Sequence, residues 1–264
     1  MTTPNDNLRI RRSRPLLSPA ILAEELPVPD ATAAMIRDAR GTVANILHGR
    51  DPRLLVIAGP CSIHDPQAAL EYATRLQSLV APLADELFLL MRVYFEKPRT
   101  HIGWKGFVYA PDPQKEANLT EGLIQTRTLF KAIAEMGVPI ATEFVDPISV
   151  FYLADLVTWG FIGARTSFSQ PHRQVVSMLD IPVGFKNCTS GALVGALNGI
   201  TAAKHPHSFF GINEEGQCAQ IDSQGNPYSH LVLRGSDAGP NFDIATDVPV
   251  LIDCSHGNSG RCHI

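Results

Sequence analysis

Six cations stand at or just beyond the ends of apolar runs in this sequence: Arg92, Lys97, Arg99, Arg165, Lys186 and Arg234. A guanidinium grips phosphate or carboxylate through paired hydrogen bonds, while a lysine acts as a point charge. Any one of them pairs as readily with a surface carboxylate. Six at one rim would repel one another without anions, so together they imply a substrate, or two partners, bearing several negative charges. The densest block is Met91-Arg92-Val93-Tyr94-Phe95-Glu96-Lys97-Pro98-Arg99-Thr100, followed by Gly103-Trp104-Lys105-Gly106. Other groups recur at similar places: Gly59-Pro60-Cys61-Ser62, Glu143, Gly163-Ala164-Arg165-Thr166, and Asp253 with His256. Cys61 and His256 are of the right type to hold zinc, iron or manganese-like ions. On residue types alone, an inert thiol and a satisfied imidazole are the favoured readings. There is no HExxH, no Walker A and no GxGxxG, so nucleotide binding has no support.

Such residues converge only if the runs before them are parallel strands, which all end on one face of a sheet. The runs are residues 54–59, 87–95, 139–144, 161–165, 183–186, 208–212 and 248–253. Between most of them lie helical patterns: residues 66–80, 121–136 (entered through Asn118 or Thr120 and closed by Gly137), 149–159, 172–179 and 192–204. Alternation of this kind predicts a parallel sheet with helical crossovers. The rhythm leaves barrel and open sheet unresolved. Residues 213–234 break it, with a polar turn at 222–227, and read as an inserted β-hairpin. Gly191, Gly195 and Gly199 suit close helix packing. Residues 1–50 read as a polar arm followed by a helix at 31–48.

With 264 residues the chain can bury a core large enough for one α/β barrel or two small domains. Its 45% hydrophobic and 18% charged residues fit a globular protein. A net charge of −4 gives no bias toward nucleic acid or anionic membrane, so any anion site is local. Five scattered cysteines without a CxxC pair argue against a disulfide scaffold and for a reducing, cytoplasmic setting. No apolar run approaches the roughly 18 residues of a membrane helix. Arg9, Arg11, Arg12 and Arg14 read as a solvated arm.

Several blocks in order make a specific resemblance covering residues 8–259. They are Gly59 to Asp65, Met91 to Thr100, Gly103 to Gly106, Ala141 to Phe144, Gly163 to Thr166, Pro182 to Asn187, Leu233 to Gly235 and Asp253 to His256. They resemble the metal-dependent 3-deoxy-D-arabino-heptulosonate 7-phosphate (DAHP) synthases, transferases of the first step of the shikimate pathway to aromatic amino acids. The resemblance implies a (β/α)8 barrel that condenses phosphoenolpyruvate with erythrose 4-phosphate and releases phosphate. Arg92, Arg165, Lys186 and Arg234, with backbone at Ala164, would hold phosphoenolpyruvate, beside Glu143. Lys97 would sit between the substrates and handle a proton. Pro98, Arg99 and Thr100 would receive the aldose phosphate. Cys61 and His256 would be two of four ligands to a divalent metal of manganese, iron, zinc or cobalt type. Residues 1–50 would serve regulation by an aromatic amino acid and contact between subunits of a homo-oligomer, and residues 51–264 would form the barrel.

The sequence departs from the family at Phe168, where glutamate is usual, at Cys188 and Ser190, and over Arg261-Cys262-His263-Ile264. Seven strand candidates stand in barrel order. The family's eighth strand and its two remaining metal ligands have no counterpart. That predicts a chain of this length that neither retains a stoichiometric metal nor turns over. Against the enzyme stand a non-catalytic binder of phosphorylated metabolites or partner subunit, and the related 3-deoxy-octulosonate 8-phosphate synthase. The Lys97-Pro98-Arg99-Thr100 block favours the erythrose 4-phosphate enzyme over the latter.

Overall fold

A computed structural model describes residues 8–260 and 262; expectations for the start of the arm and for Arg261, His263 and Ile264 lie outside the described residues. Seven parallel strands form one curled sheet, an incomplete barrel. In spatial order they are β1 (Leu54–Ala58), β2 (Leu87–Arg92), β3 (Ile140–Glu143), β4 (Trp159–Ile162), β5 (Val183–Lys186), β8 (His230–Leu233) and β9 (Val250–Ile252). Most crossovers are helical: α3 (Pro66–Leu83), α4 (Leu119–Glu135), the short α5 (Val150–Leu153), α6 (Gln170–Ser177) and α7 (Val194–Ala203). Asp65 caps α3 by accepting from the backbone N–H of Gln67 and Ala68, and Asn118 caps α4 by accepting from Glu121. Gly137, at φ 77°, ends α4.

The inserted hairpin exists, but its strands are β6 (Ser208–Ile212) and β7 (Cys218–Asp222). Residues 208–212 are therefore not a barrel strand, and His230–Leu233 is one rather than the end of the hairpin. The physical reason is burial. All four residues of β8 are buried, as a strand covered on both faces requires. In β6, by contrast, Ser208 and Phe210 are exposed on either side of the buried Phe209. The expected helix 149–159 stops early: α5 passes into a 3₁₀ turn at Ala154–Leu156, and β4 begins at Trp159, two residues before the expected start. A short helix in the arm, α1 (Pro19–Glu25), was not expected from the sequence; Ser18 caps it and Pro19 opens it.

Side chains along β2 and just past it alternate between two cores. Leu89, Met91, Val93 and Phe95 join the outer core beneath the helices, whereas Leu90 and Tyr94 join an inner one with Ala141, Trp159, Phe161 and Val232. The period of two that makes this alternation also turns Arg92 inward. It does the same for Glu143 two residues beyond Ala141, Arg234 beyond Val232, and Asp253 beyond Leu251. Lys186 follows the outward Phe185 and shares the inner face. The inner core thus carries its charged side chains at its C-terminal rim, and toward the other end His230 is buried against Trp159, whose Nε1 donates to it at 3.0 Å. At the other end it is floored by Val43 and Leu47 of α2 (Asp30–Leu47). Arg40 anchors that helix by donating to the carbonyls of Ala154 and Val157 at 2.7–2.9 Å. Among the described residues no helix is long and apolar enough to cross a membrane.

Candidate active site

The rim is built outward from the end of β1. A side chain on Gly59 would come within 2.5 Å of the Arg92 carbonyl, so only glycine lets the two strand ends lie this close. The guanidinium of Arg92 then donates to the Pro60 carbonyl (3.0 Å) and stacks 3.7 Å from the Tyr94 ring centre. Cys61 follows, its Sγ 3.1 Å from Lys97 Nζ. The hydrogen bond from Lys97 pulls the thiol below its ordinary pKa, against a smaller opposing effect of burial. Cys61 is thus a poised thiol at the mouth rather than buried filler.

Glu143 is the centre of the arrangement. It is 8% exposed, and Gly163 leaves room for its carboxylate, since a Cβ there would collide with Oε1. Burial pushes its pKa up; Lys186, Arg92, Lys97 and Arg165 all pull it down. One carboxylate therefore senses four cations delivered by the ends of three strands, β2, β4 and β5. Arg165 is exposed and Ala164 half-buried on the loop after β4, which Ser167 Oγ ties to β5 by donating to the Lys186 carbonyl at 2.8 Å.

Across the mouth, Asp253 Oδ2 accepts from Lys186 Nζ at 2.6 Å and lies 3.0 Å from His256 Nδ1. Lys186 Nζ also sits 4.4 Å from the Phe161 ring centre. Burial alone would raise Asp253, but the hydrogen bonds from His256 and Lys186 outweigh it and hold the carboxyl well below the usual range. His256 has φ 53°, the one non-glycine residue at positive φ among the described residues. Such a conformation costs on the order of 1–2 kcal/mol and is often found at functional sites. Arg234, 5% exposed, completes the rim beyond β8.

Pro98, Arg99 and Thr100 lie on the loop that leaves this rim; Arg99 and Thr100 are exposed. The Gly103 to Gly106 block shapes that loop. Gly106 has φ 117°, and a Cβ would press on the Phe95 carbonyl at 2.5 Å. Lys97 N–H donates to the Lys105 carbonyl (2.8 Å), and Arg99 Nε to that of Trp104 (2.7 Å).

Two participants escaped sequence reasoning. Glu96, 1% exposed, accepts from the backbone N–H of Val145 (3.0 Å) and Asp146 (3.1 Å). It thereby pins the loop after β2 to the loop after β3, and burial raises its pKa to about 8. Asp253 stands out in the sequence only as a strand-end residue; its sharing between Lys186 and His256 is a feature of the fold. The signal for Glu96 is its place in the block, directly after the apolar run and before Lys97; no sequence signal links Asp253 to Lys186. As for a metal, thiolate and imidazole donors suit a borderline divalent ion. In number they fall short: among the described residues no group of three or more His, Cys, Asp or Glu is arranged to hold one.

A family model described as "DAHP synthetase I family" matches residues 28–264. The Tyr-sensitive phospho-2-dehydro-3-deoxyheptonate aldolase of Salmonella typhimurium is 47% identical over 97% of this chain and 75% of its own length. The Trp-sensitive enzyme of Escherichia coli O157:H7 is 45% identical over 98% of this chain and 78% of its own. The solved structure of the aldolase of that name from Francisella tularensis SCHU S4 superposes with a TM-score of 0.91 at 42% identity, covering 96% of this chain and 78% of that one.

Proposed function

The chain belongs to the DAHP synthetase I family, and from that membership and its cation-lined mouth we infer a transferase that condenses phosphoenolpyruvate with erythrose 4-phosphate and releases phosphate. This is the first step of the shikimate route to aromatic amino acids. The observation that supports the site assignment best is Glu143, a buried carboxylate among Lys186, Arg92, Lys97 and Arg165. Even counting Asp253 beside Lys186, two carboxylates face five cations, Arg92, Lys97, Arg165, Lys186 and Arg234, and the mouth keeps an excess of positive charge for anionic substrates.

In this reading Arg92, Arg165, Lys186 and Arg234, with backbone at Ala164, hold the phosphate and carboxylate of phosphoenolpyruvate. Pro98, Arg99 and Thr100 receive the aldose phosphate. Lys97 lies between them on the rim, where its ammonium can deliver a proton to the aldehyde oxygen as C3 of phosphoenolpyruvate attacks the aldehyde carbon; a water then adds at the electron-poor C2, and phosphate leaves as the C2–O bond breaks. Fixing both phosphates brings the two carbons together and spares the entropy of a bimolecular encounter. Preset cations stabilise the charge that develops. A divalent ion of manganese, iron, zinc or cobalt type, when bound, supplies Lewis-acid polarisation of the aldehyde. Cys61 and His256 are the donors proposed for it.

The names of the relatives, Tyr- and Trp-sensitive, support feedback by an aromatic amino acid, with residues 1–50 contributing regulation and homo-oligomer contact. The scattered cysteines support a cytoplasmic setting. Calorimetry tests the site: Arg165→Ala should weaken phosphoenolpyruvate binding by at least tenfold, because a phosphate loses a charged donor. An unchanged affinity removes Arg165 from the site. A phosphate-release assay with both substrates tests the reaction itself.

A further inference from the structure

We propose that Asn187, backed by Asn241 and Asn258, is a positioning residue that sets Arg234 opposite Lys186 at the phosphoenolpyruvate site. This rests on the reading of those two cations given above. The parallel ladder ends at the tip of β8, and the segment carrying Arg234 runs on past it. Its peptide groups are nevertheless all held. The Arg234 N–H donates to Asn187 Oδ1 at 2.8 Å, and the Gly235 carbonyl accepts from Asn187 Nδ2 at 3.1 Å. The Arg234 carbonyl accepts from Gly257 N–H at 3.0 Å, and the Gly235 N–H donates to Asn241 Oδ1 at 2.6 Å.

Asn187 is fully buried and immediately follows Lys186. Its amide therefore extends the β5–β8 pairing by one dipeptide where the backbones no longer pair. On the far side, Asn258 accepts from the Asn241 N–H at 2.9 Å and donates to the carbonyls of Leu233 (3.0 Å) and Asp253 (2.9 Å). The three amides thus lock the ends of β5, β8 and β9 together, and with them Lys186, Arg234 and Asp253. The peptide groups of this segment are satisfied, and although Asn241 Nδ2 is buried without a partner, such a buried polar network resists small displacements. An amide is needed at 187 because the position both accepts and donates: Nδ2 also gives a hydrogen bond to the Cys188 carbonyl at 2.9 Å. A carboxylate would keep the acceptor for Arg234 but face two carbonyls without a proton.

The test is calorimetry on the full chain, titrated separately with phosphoenolpyruvate and with erythrose 4-phosphate, with thermal unfolding of each variant. Asn187→Ala and Asn187→Asp are expected to bind phosphoenolpyruvate at least tenfold more weakly. Both should bind erythrose 4-phosphate within twofold of the parent and still unfold cooperatively. Unchanged phosphoenolpyruvate affinity in a folded variant overturns the proposal. Parallel loss of both ligands, or failure of both variants to fold, also overturns it, because Asn187 would then be structural only. If the parent chain binds no phosphoenolpyruvate, the assignment of the site itself is wrong, and this inference goes with it.

Discussion

Replacing Lys186 by methionine removes a charge while keeping most of the side chain's length, and two consequences can be worked from the structure. Lys186 and Asp253 are 12% and 13% exposed and 2.6 Å apart. Removing one partner of a buried pair costs roughly 3–5 kcal/mol, chiefly because the other charge is left uncompensated. Here Asp253 keeps the Ser255 N–H at 2.9 Å and His256 at 3.0 Å, so the lower end, about 3 kcal/mol, is expected. For a chain of this size that is a fall in Tm of roughly 6–12 °C. Independently, phosphoenolpyruvate loses a charge-assisted hydrogen bond worth about 1.5–3 kcal/mol, or roughly 10- to 150-fold in Kd. Thermal unfolding and calorimetry read the two effects separately. The double variant Lys186→Met/Asp253→Asn should recover at least about 1 kcal/mol relative to the sum of the single losses. Strict additivity would show that the pair is not coupled, and a Kd within twofold of the parent would take Lys186 out of the phosphoenolpyruvate site. The sign of the pH dependence fits this design. The Asp253 carboxyl is depressed in the folded state, so its stabilisation is complete above the unfolded value of about 3.9 and is lost only as pH falls through the lower folded value. Assays near pH 7 hold that contribution constant.

Two further outcomes follow from geometry and burial. Gly106→Ala forces a β-carbon against the Phe95 carbonyl at a φ of 117°; it should destabilise by roughly 2–3 kcal/mol and weaken erythrose 4-phosphate more than phosphoenolpyruvate, as urea unfolding and separate titrations would show. His230 is buried with Nε2 3.0 Å from Trp159 Nε1, and burial lowers its pKa to about 4. Its neutral form therefore stabilises the fold fully above the unfolded pKa of about 6.5, and that stability is lost as pH falls toward 4. With 1.36 kcal/mol per pKa unit, about 3 kcal/mol is at stake, and urea midpoints of His230→Gln across pH 4–7 should show a flatter slope than the parent.

Much of the site was legible because a strand's period is simple. Val183–Lys186 falls where the apolar run predicts it, and the residue after a buried run in a parallel sheet must reach the rim. The hairpin illustrates the opposite case. Residues 208–212 and 230–233 are both short and rich in apolar residues, and their order along the chain favours the first as the barrel strand. Only the exposure of Ser208 and Phe210 separates an alternating hairpin strand from a fully covered one. The early end of α5 is hidden for a similar reason: apolar residues continue through Leu156 and Val157 to Trp159 with only single polar residues, Asp155 and Thr158, between them, so no glycine, proline or polar cluster marks the change.

The sequence by itself determined which reactive groups stand at the ends of the apolar runs. Residue types and their position just past those runs single out six cations suited to anions, a thiol and an imidazole. Tertiary structure alone decided who meets whom. Lys186 finds Asp253 across 67 residues of chain, Glu96 finds Val145 across 49, and Asn187 finds Arg234 across 47. Local pattern is encoded by neighbours three or four residues apart and is readable in any window. Pairings between strand ends depend on how the whole sheet curls and in what register, a sum over many weak contacts that no single segment contains.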